Sequence, residues 1–368
     1  MKAAAVSASR YRLLDHWRGF AALWVMVFHT CNVWLEARPD FLPPGLAGFV
    51  RHGWLGVHVF FVISGYCIAE RLALEYRRGG TAARFIFDRL WRLLPPYWAA
   101  LVLLLLCNAV ATVFNHTLLW ADAAGPGALP GTVAGWLKAV FILEPWFGEP
   151  SYLLVSWSLA FELGFYLLGA LCLQVVLASG RAWTGFATGG ILLALGLMPW
   201  VSDRWPLLAL WPHFAVGCLV WLLCRQVTTV GYRLGLGVLL FGAVFGCGWL
   251  LPAAPRFQLQ FASGCALLLL ALRPFDGRLA DMPVLRWLGF AGTFSYSIYL
   301  VHAPVVGKLR NLLGRWWRPG EPGAVWVPVA ACALALALAW LFYRLIELSS
   351  EERRRAFARR TAPFHSPA

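Results

Sequence analysis

The sequence predicts an all-α polytopic membrane protein with about ten transmembrane helices, and three observations carry that expectation. Of its 368 residues, 60% are hydrophobic and only 13% are charged, with a mean hydropathy of +0.67, a balance that a water-soluble globule of this size does not sustain. The apolar residues fall in runs of roughly 20, the length a helix needs to cross the hydrocarbon core. The 31 Lys and Arg residues gather in short clusters between those runs.

In chain order the expected spans centre on 18–36, 54–72, 94–114, 152–178, 184–201, 206–224, 231–251, 257–272, 285–308 and 324–346. A cytosolic N-terminus puts twenty Lys and Arg inside and nine outside, so the positive-inside rule places both termini in the cytosol. The segment 308–318 runs against it, with Lys308, Arg310, Arg315 and Arg318 facing outward; there they would meet anionic headgroups or an acidic glycan. Lys2, Arg10 and Arg12 before GFAALWVMVF have the look of a signal peptide, but His29 and Glu36 follow where an A-x-A-like cleavage site would stand. The net charge of +14 forms no continuous surface or nucleic-acid-binding motif, which argues against nucleic acid as a partner and leaves membrane lipids as the expected neighbours of the basic clusters.

Nine cysteines are scattered singly, without C-x-x-C spacing, and read as small packing residues. Within GYRLGLGVLLFGAVFGCG, the four-residue spacings Gly231/Gly235 and Gly242/Gly246 predict close helix packing. The stretch 115–150, containing AAGPGALPGT, is expected to be an irregular outside loop, and the final dozen residues to be disordered.

Against this frame the polar residues inside spans stand out, because a charge at mid-bilayer costs at least about 2.5–3.5 kcal/mol. LDHWRGFAALWVMVFHT holds Asp15, Arg18 and His29. Arg18 and His29 are eleven residues apart, close to three turns, so they return to one helix face about 16 Å apart along the axis. The competing structural reading is a snorkelling Arg18 and a hydrogen-bonded core His29. Glu162 in SWSLAFELGFYLL, expected about ten residues into its span, His302 in FSYSIYLVHAPV, and His58 in GWLGVHVFFVISGY, with Ser64 deeper, are all expected at a similar middle-to-outer depth. Acids and bases at one depth suggest a reaction site or a proton path; each taken singly can also be a satisfied interhelical hydrogen bond. On the cytosolic side, RFIFDRLWRLLPPYW places Arg84, Asp88, Arg89 and Arg92 before a span that opens with Pro95 and Pro96. Such arginines bind lipid phosphate or, through their guanidinium forks, a phosphorylated donor.

The chain resembles the acyltransferase 3 family of polytopic membrane O-acyltransferases, which modify bacterial O-antigen, exopolysaccharide and Nod factors. The resemblance rests on LDHWRGFAALWVMVFH with its Arg-x10-His spacing, LGVHVFFVISGYCI, FDRLWRLLPPYW, WSLAFELGFYLL, FSYSIYLVHAPV and YRLIE, in family order over about residues 12–347. It departs from the family at His58, where an acidic residue is usual, and after YRLIE, where Leu348 and Ser349 replace a basic residue and Pro. The organisation implied is a cytosolic N-terminal segment (1–11), an acyltransferase domain (12–347) and a cytosolic tail (348–368), with no fused SGNH-type domain.

What the resemblance implies is transfer of an acyl group, most often acetyl, from cytosolic acyl-CoA (acetyl-CoA) to a hydroxyl of an extracytoplasmic glycan or lipid-linked saccharide, in the bacterial inner (plasma) membrane and without a metal. His29 would then be the general base or carry the acyl group covalently. Arg18 would hold the donor's phosphates or polarise its thioester. Glu162 or His302 would orient His29 or bind acceptor hydroxyls. Arg84, Arg89 and Arg92 would clamp the donor, and His58, Ser64 and Tyr299 would contact the acceptor. Asp15 is expected to pair with Arg18 or a neighbouring arginine. The rival reading is a transporter or flippase using the same groups as a substrate or proton path, although no two halves of the sequence mirror each other.

Overall fold

The computed structural model describes residues 10–115, 130–198, 206–226, 230–247, 251–313 and 326–360, with isolated positions between them. All regular structure among them is helical. Among the described residues six segments are long and apolar enough to cross a membrane: Leu13–Ala37, Pro44–Arg77, Ala82–Val110, Ser156–Ser179, Ala253–Ala280 and Trp326–Phe357. Their lipid-facing surfaces are legible in exposure: along Ala82–Asn115, Val102, Leu106, Val110 and Val113 are all more than half exposed and recur at helical spacing. Expectations for residues 1–9, 116–129, 314–320 and 361–368, including Lys2, Arg315, Arg318 and the last eight residues of the tail, lie outside the described residues.

The chain folds as two compact units, and both α1 (Leu13–Ala37) and the helix Ser156–Ser179 run from one into the other. The first unit comprises residues up to 22, 55–81 and 167–293. Here the start of α1 is fixed by a side chain far along the chain, because Asp276 accepts from the backbone N–H of Leu13 (2.8 Å) and Arg12 (3.1 Å), meeting donors that a helix N-terminus leaves unpaired. Tyr11 adds a hydroxyl bond to Leu269 O at 2.6 Å. α3 (Gly56–Arg77) follows the short α2 (Pro44–Arg51) of the second unit.

Further along the first unit come α7 (Ala182–Gly196), α8 (Trp211–Gln226), α9 (Val230–Cys247), α10 (Ala253–Leu272) and α11 (Arg286–Thr293). Val59, Val62, Ile63, Tyr66, Val216, Val220, Phe241, Leu259 and Ala266 form its buried centre. Two helix crossings are close enough to demand glycine. A Cβ at Gly65 would lie 2.0 Å from Phe214 O and one at Gly217 would lie 2.0 Å from Val62 O, so α3 and α8 touch backbone to backbone. A Cβ at Gly19 would lie 2.0 Å from Leu288 O, which draws α1 onto α11 in the same way. By contrast Gly231, Gly235, Gly242 and Gly246 would meet nothing within 4 Å. The four-residue spacing on α9 therefore does not mark a tight crossing there.

The second unit comprises residues 23–54, 82–166 and 294 onward. α4 (Ala82–Asn115) runs unbroken through Pro95 and Pro96, so the basic segment and the span expected to begin at the prolines are one helix. The prolines remove two backbone donors and strand the carbonyls four residues earlier; the adjacent Leu93 carbonyl takes a 2.8 Å bond from the Tyr296 hydroxyl. The expected irregular loop instead contains α5 (Val133–Phe141), capped by Thr132 accepting from Gly135 N, and a 3-10 turn over Glu144–Phe147. α5 stops at Ile142, in the left-handed region at φ 59°. α6 (Ser156–Ser179) starts at Ser156, later than the span expected from 152. That puts Glu162 in its second turn, about 9 Å along the axis from the first residue. The span expected over 285–308 is two helices, α11 and α12 (Ser295–Leu313), divided at Phe294. α13 (Trp326–Phe342) leads through a π-helical turn, Tyr343–Glu347, into α14 (Leu348–Arg360). The π turn falls on YRLIE, and such turns recur at functional positions.

Candidate active site

In the second unit α1 and α12 bring His29 and His302 together, with ring centroids 5.3 Å apart. His302 is buried, and its Nδ1 lies 3.0 Å from Ile298 O. A carbonyl only accepts, so Nδ1 carries the hydrogen, and in the neutral ring Nε2 is left as a bare acceptor. That Nε2 is buried with no hydrogen-bond partner. His29 is half-buried, the more accessible ring of the two.

The next turn of α12 continues the line. Tyr299 packs its ring 5.8 Å from that of His302, and its hydroxyl bonds Ser158 Oγ at 2.6 Å. Ser158, Glu162 and Tyr166 stand on one face of α6 at four-residue spacing. Tyr166 donates to Glu162 Oε1 at 2.6 Å. Glu162 is also within electrostatic reach of Tyr299 and Tyr296, and Arg89 and Arg92 of α4 are within reach of Tyr166. Arg84 lies exposed earlier on α4. Ser297 donates to Glu347 Oε2 at 2.6 Å, so the π turn delivers a carboxylate to α12. Arg354 bridges Asp88 (3.1 Å) and Glu351 (2.7 Å), tying α14 to α4.

The first unit holds the other expected residues. Arg18 Nη2 contacts Cys67 Sγ at 3.4 Å, and Nη1 lies 3.9 Å from Asp15, whose other oxygen accepts from Arg10 at 2.7 Å. Arg18 is thus held by partners while staying on the same α1 as His29. His58 is buried on α3, with its ring 4.9 Å from that of His213 on α8. Ser64 is half-buried on α3, and Arg225 pairs with Glu70.

Four contributors escaped the sequence reading: His213, Ser158, Tyr166 and the Ser297–Glu347 pair. His213, in WPHFAVG, carried the signal that drew attention to His58, an ionisable group in an apolar run. Ser158 and Tyr166 carried only their spacing from Glu162. Nothing in the residues indicates that Ser297 meets Glu347 across 50 positions.

The family model for the acyltransferase domain of the acyltransferase 3 family matches residues 11–344. The "Putative membrane-bound transacylase BcsY" of Komagataeibacter xylinus is 28% identical over 340 residues, covering 83% of this chain and 75% of that protein. The "Acyltransferase MdmB" of Streptomyces mycarofaciens is 25% identical over 370 residues, covering 90% and 89%. The "Putative O-acetyltransferase SACOL0978" of Staphylococcus aureus is 30% identical over 204 residues, which is 51% of this chain and 29% of that protein. No solved structure matches.

Proposed function

The chain belongs to the acyltransferase 3 family, and from that membership we propose that this multi-pass membrane acyltransferase moves an acetyl group from cytosolic acetyl-CoA to a hydroxyl of an extracytoplasmic glycan or lipid-linked saccharide. The observation that carries the reading is the His29–His302 pair backed by Tyr299 and Ser158 in one unit. His29 takes the proton of the acceptor hydroxyl as its oxygen attacks the thioester carbon. The C–O bond forms, the C–S bond breaks, and the CoA thiolate leaves with the proton returned from His29. His302 Nε2 steadies the His29 imidazolium while it exists, and Glu162, fixed by Tyr166, supplies negative charge on the adjoining face. Arg89 and Arg92, with Arg84, take the donor's phosphates, and Arg18 is a further cation for the donor. His58 and Ser64 contact the acceptor. The ten-span count, cytosolic termini and placement in the bacterial inner membrane complete the proposal, and they rest on the apolar runs of the sequence and on the excess of Lys and Arg on the assigned cytosolic side.

Purified protein reconstituted in vesicles with labelled acetyl-CoA and an acceptor glycan decides the matter. Label appearing on the glycan, and dependent on His29, is the expected result. Glycan uptake into sealed vesicles with no transfer would establish the transporter reading instead.

A further inference from the structure

α5 lies in the stretch expected as an outside loop, yet it is apolar on both of its sides. One side, Gly135 and Ala139, is buried, and the Ala139 carbonyl accepts from the Tyr97 hydroxyl at 2.6 Å. The other carries Val133, Trp136, Leu137 and Phe141, which recur at helical spacing and are exposed by 78%, 38%, 54% and 47%. The one charged residue of α5, Lys138, is taken by Glu149 and lies over the Phe147 ring at 4.7 Å. A helix at a protein–water surface turns polar residues outward, whereas one that is apolar all round belongs inside a protein or a membrane.

Contacts within the second unit fix the depth of α5. Trp98 of α4 donates its indole N–H to Val140 O at 2.9 Å, and Tyr97 bonds the Ser156 side chain at the head of α6. Two residues on, Ser158 bonds the Tyr299 hydroxyl, and His302 follows one turn later on α12. α6 and α12 are antiparallel, since Glu162, further along α6, is within electrostatic reach of Tyr296, earlier on α12. α5 therefore stands within about one helical turn of the His302 level. Trp98 also begins the exposed apolar stripe of α4, followed by Val102, Leu106, Val110 and Val113. Val113 lies fifteen residues beyond Trp98, about 22 Å by helical rise, and Arg92 six residues before it, about 9 Å. Together these match the hydrocarbon thickness of ~30 Å, which puts α5 well below the outer surface.

We propose that α5 and the turn Glu144–Phe147 are embedded in the bilayer at the depth of the His29–His302 pair, with Val133, Trp136, Leu137, Phe141 and Phe147 against lipid acyl chains. The α4 stripe and the exposed side of α5 meet at the Trp98–Val140 bond, so lipid that covers one continues onto the other. Lys138 and Glu149 neutralise each other, as charges at this depth must. In wild-type protein reconstituted in phosphatidylcholine vesicles, two reagents read the surface by mass spectrometry: an aryl-trifluoromethyl diazirine that partitions into hydrocarbon and yields a carbene on photolysis, and hydroxyl radicals generated in the water. Carbene labelling per residue over 133–147 is expected within about twofold of that over 98–113. Radical oxidation of Trp136 and Phe147 is expected at least fivefold below its level in protein denatured with SDS and urea.

Oxidation above that limit overturns the proposal and returns α5 to water. Absence of both labels overturns it as well, because the exposed side is then covered by protein, such as a second copy of the chain. Leu137→Lys supplies an independent measure: an unpaired charge facing acyl chains is expected to lower the thermal midpoint in vesicles by several degrees, with Leu137→Ile unchanged, and a Lys variant as stable as wild type counts against lipid contact. Labelling needs no turnover, so its outcome is separate from that of the acetyl-transfer assay.

Discussion

Replacing His302 by Phe keeps the ring and its volume but removes both nitrogens, and the structure sets the size of the effect. Nδ1 is spent on Ile298 O; the carbonyl keeps its helical partner, so losing that bond is a stability matter of about 1 kcal/mol. Nε2 is different, being a buried acceptor next to the ring of His29. While His29 is neutral, Nε2 makes no hydrogen bond; once His29 has taken the acceptor's proton, Nε2 is an acceptor beside a cation. Hydrogen bonds to charged groups are worth about 1.5–3 kcal/mol, and each 1.36 kcal/mol is tenfold in rate, so His302→Phe should lower kcat about 10- to 150-fold with KM for acetyl-CoA little changed. His29→Ala removes the base itself and should cost about 10²- to 10⁴-fold. Reconstituted enzyme assayed with labelled acetyl-CoA under saturating donor and acceptor gives both numbers. A His302→Phe enzyme with kcat within twofold of wild type, and with an unaltered elution profile, would refute the assignment of Nε2 to the transition state.

Arg89→Ala and Arg92→Ala should each raise KM for acetyl-CoA about tenfold, a phosphate contact being worth about 1.4 kcal/mol; an unchanged KM in protein that inserts normally assigns these arginines to lipid headgroups. Gly65→Ala drives a Cβ to 2.0 Å from Phe214 O, and overpacking of this kind costs about 1–3 kcal/mol, so the detergent-solubilised variant should unfold several degrees below wild type; equal thermal midpoints would show that α3 and α8 do not meet as described. Glu144 gives a pH dependence: burial raises its carboxyl above the ordinary 4.5, so the folded state binds that proton more tightly than the unfolded chain. Its contribution is therefore complete below the unfolded value and is lost as pH rises through the folded one. As pH rises from about 4.5, wild type should lose thermal stability relative to Glu144→Gln, and parallel curves would sink the argument.

Six of the expected spans and the ionisable residues in the apolar runs were legible because both follow from solvation: a run of apolar residues has few places to go, and a histidine or arginine among them is conspicuous for its cost. The departures from expectation have a different origin. The Pro95–Pro96 pair would end a helix in water, yet α4 continues through it, with the Tyr296 hydroxyl on the neighbouring Leu93 carbonyl, a bond that joins positions 203 residues apart. Likewise the division at Phe294 and the approach of Gly65 to Gly217 depend on what lies opposite, which local pattern does not encode. The evenly spaced glycines of α9 were the more visible motif and turned out to face open space. Spacing along one helix specifies a face, and only a partner turns that face into a contact.

The same logic separates the two histidines from Glu144. His29 and His302 announce themselves singly, each an imidazole in an apolar run, so their pairing needed only the fold to bring α1 and α12 together. Glu144 announces nothing in the sequence, lying in a Gly- and Pro-rich connection where a carboxylate is expected to be solvated. In the fold it is fully buried in the turn that follows α5, with Tyr97 within its electrostatic reach. An imidazole in an apolar run is conspicuous for its cost in any fold, whereas a carboxylate in a polar connection becomes costly only when the fold buries it. For that reason the candidate base is open to reading from the residues, and Glu144 becomes visible only once its burial is known.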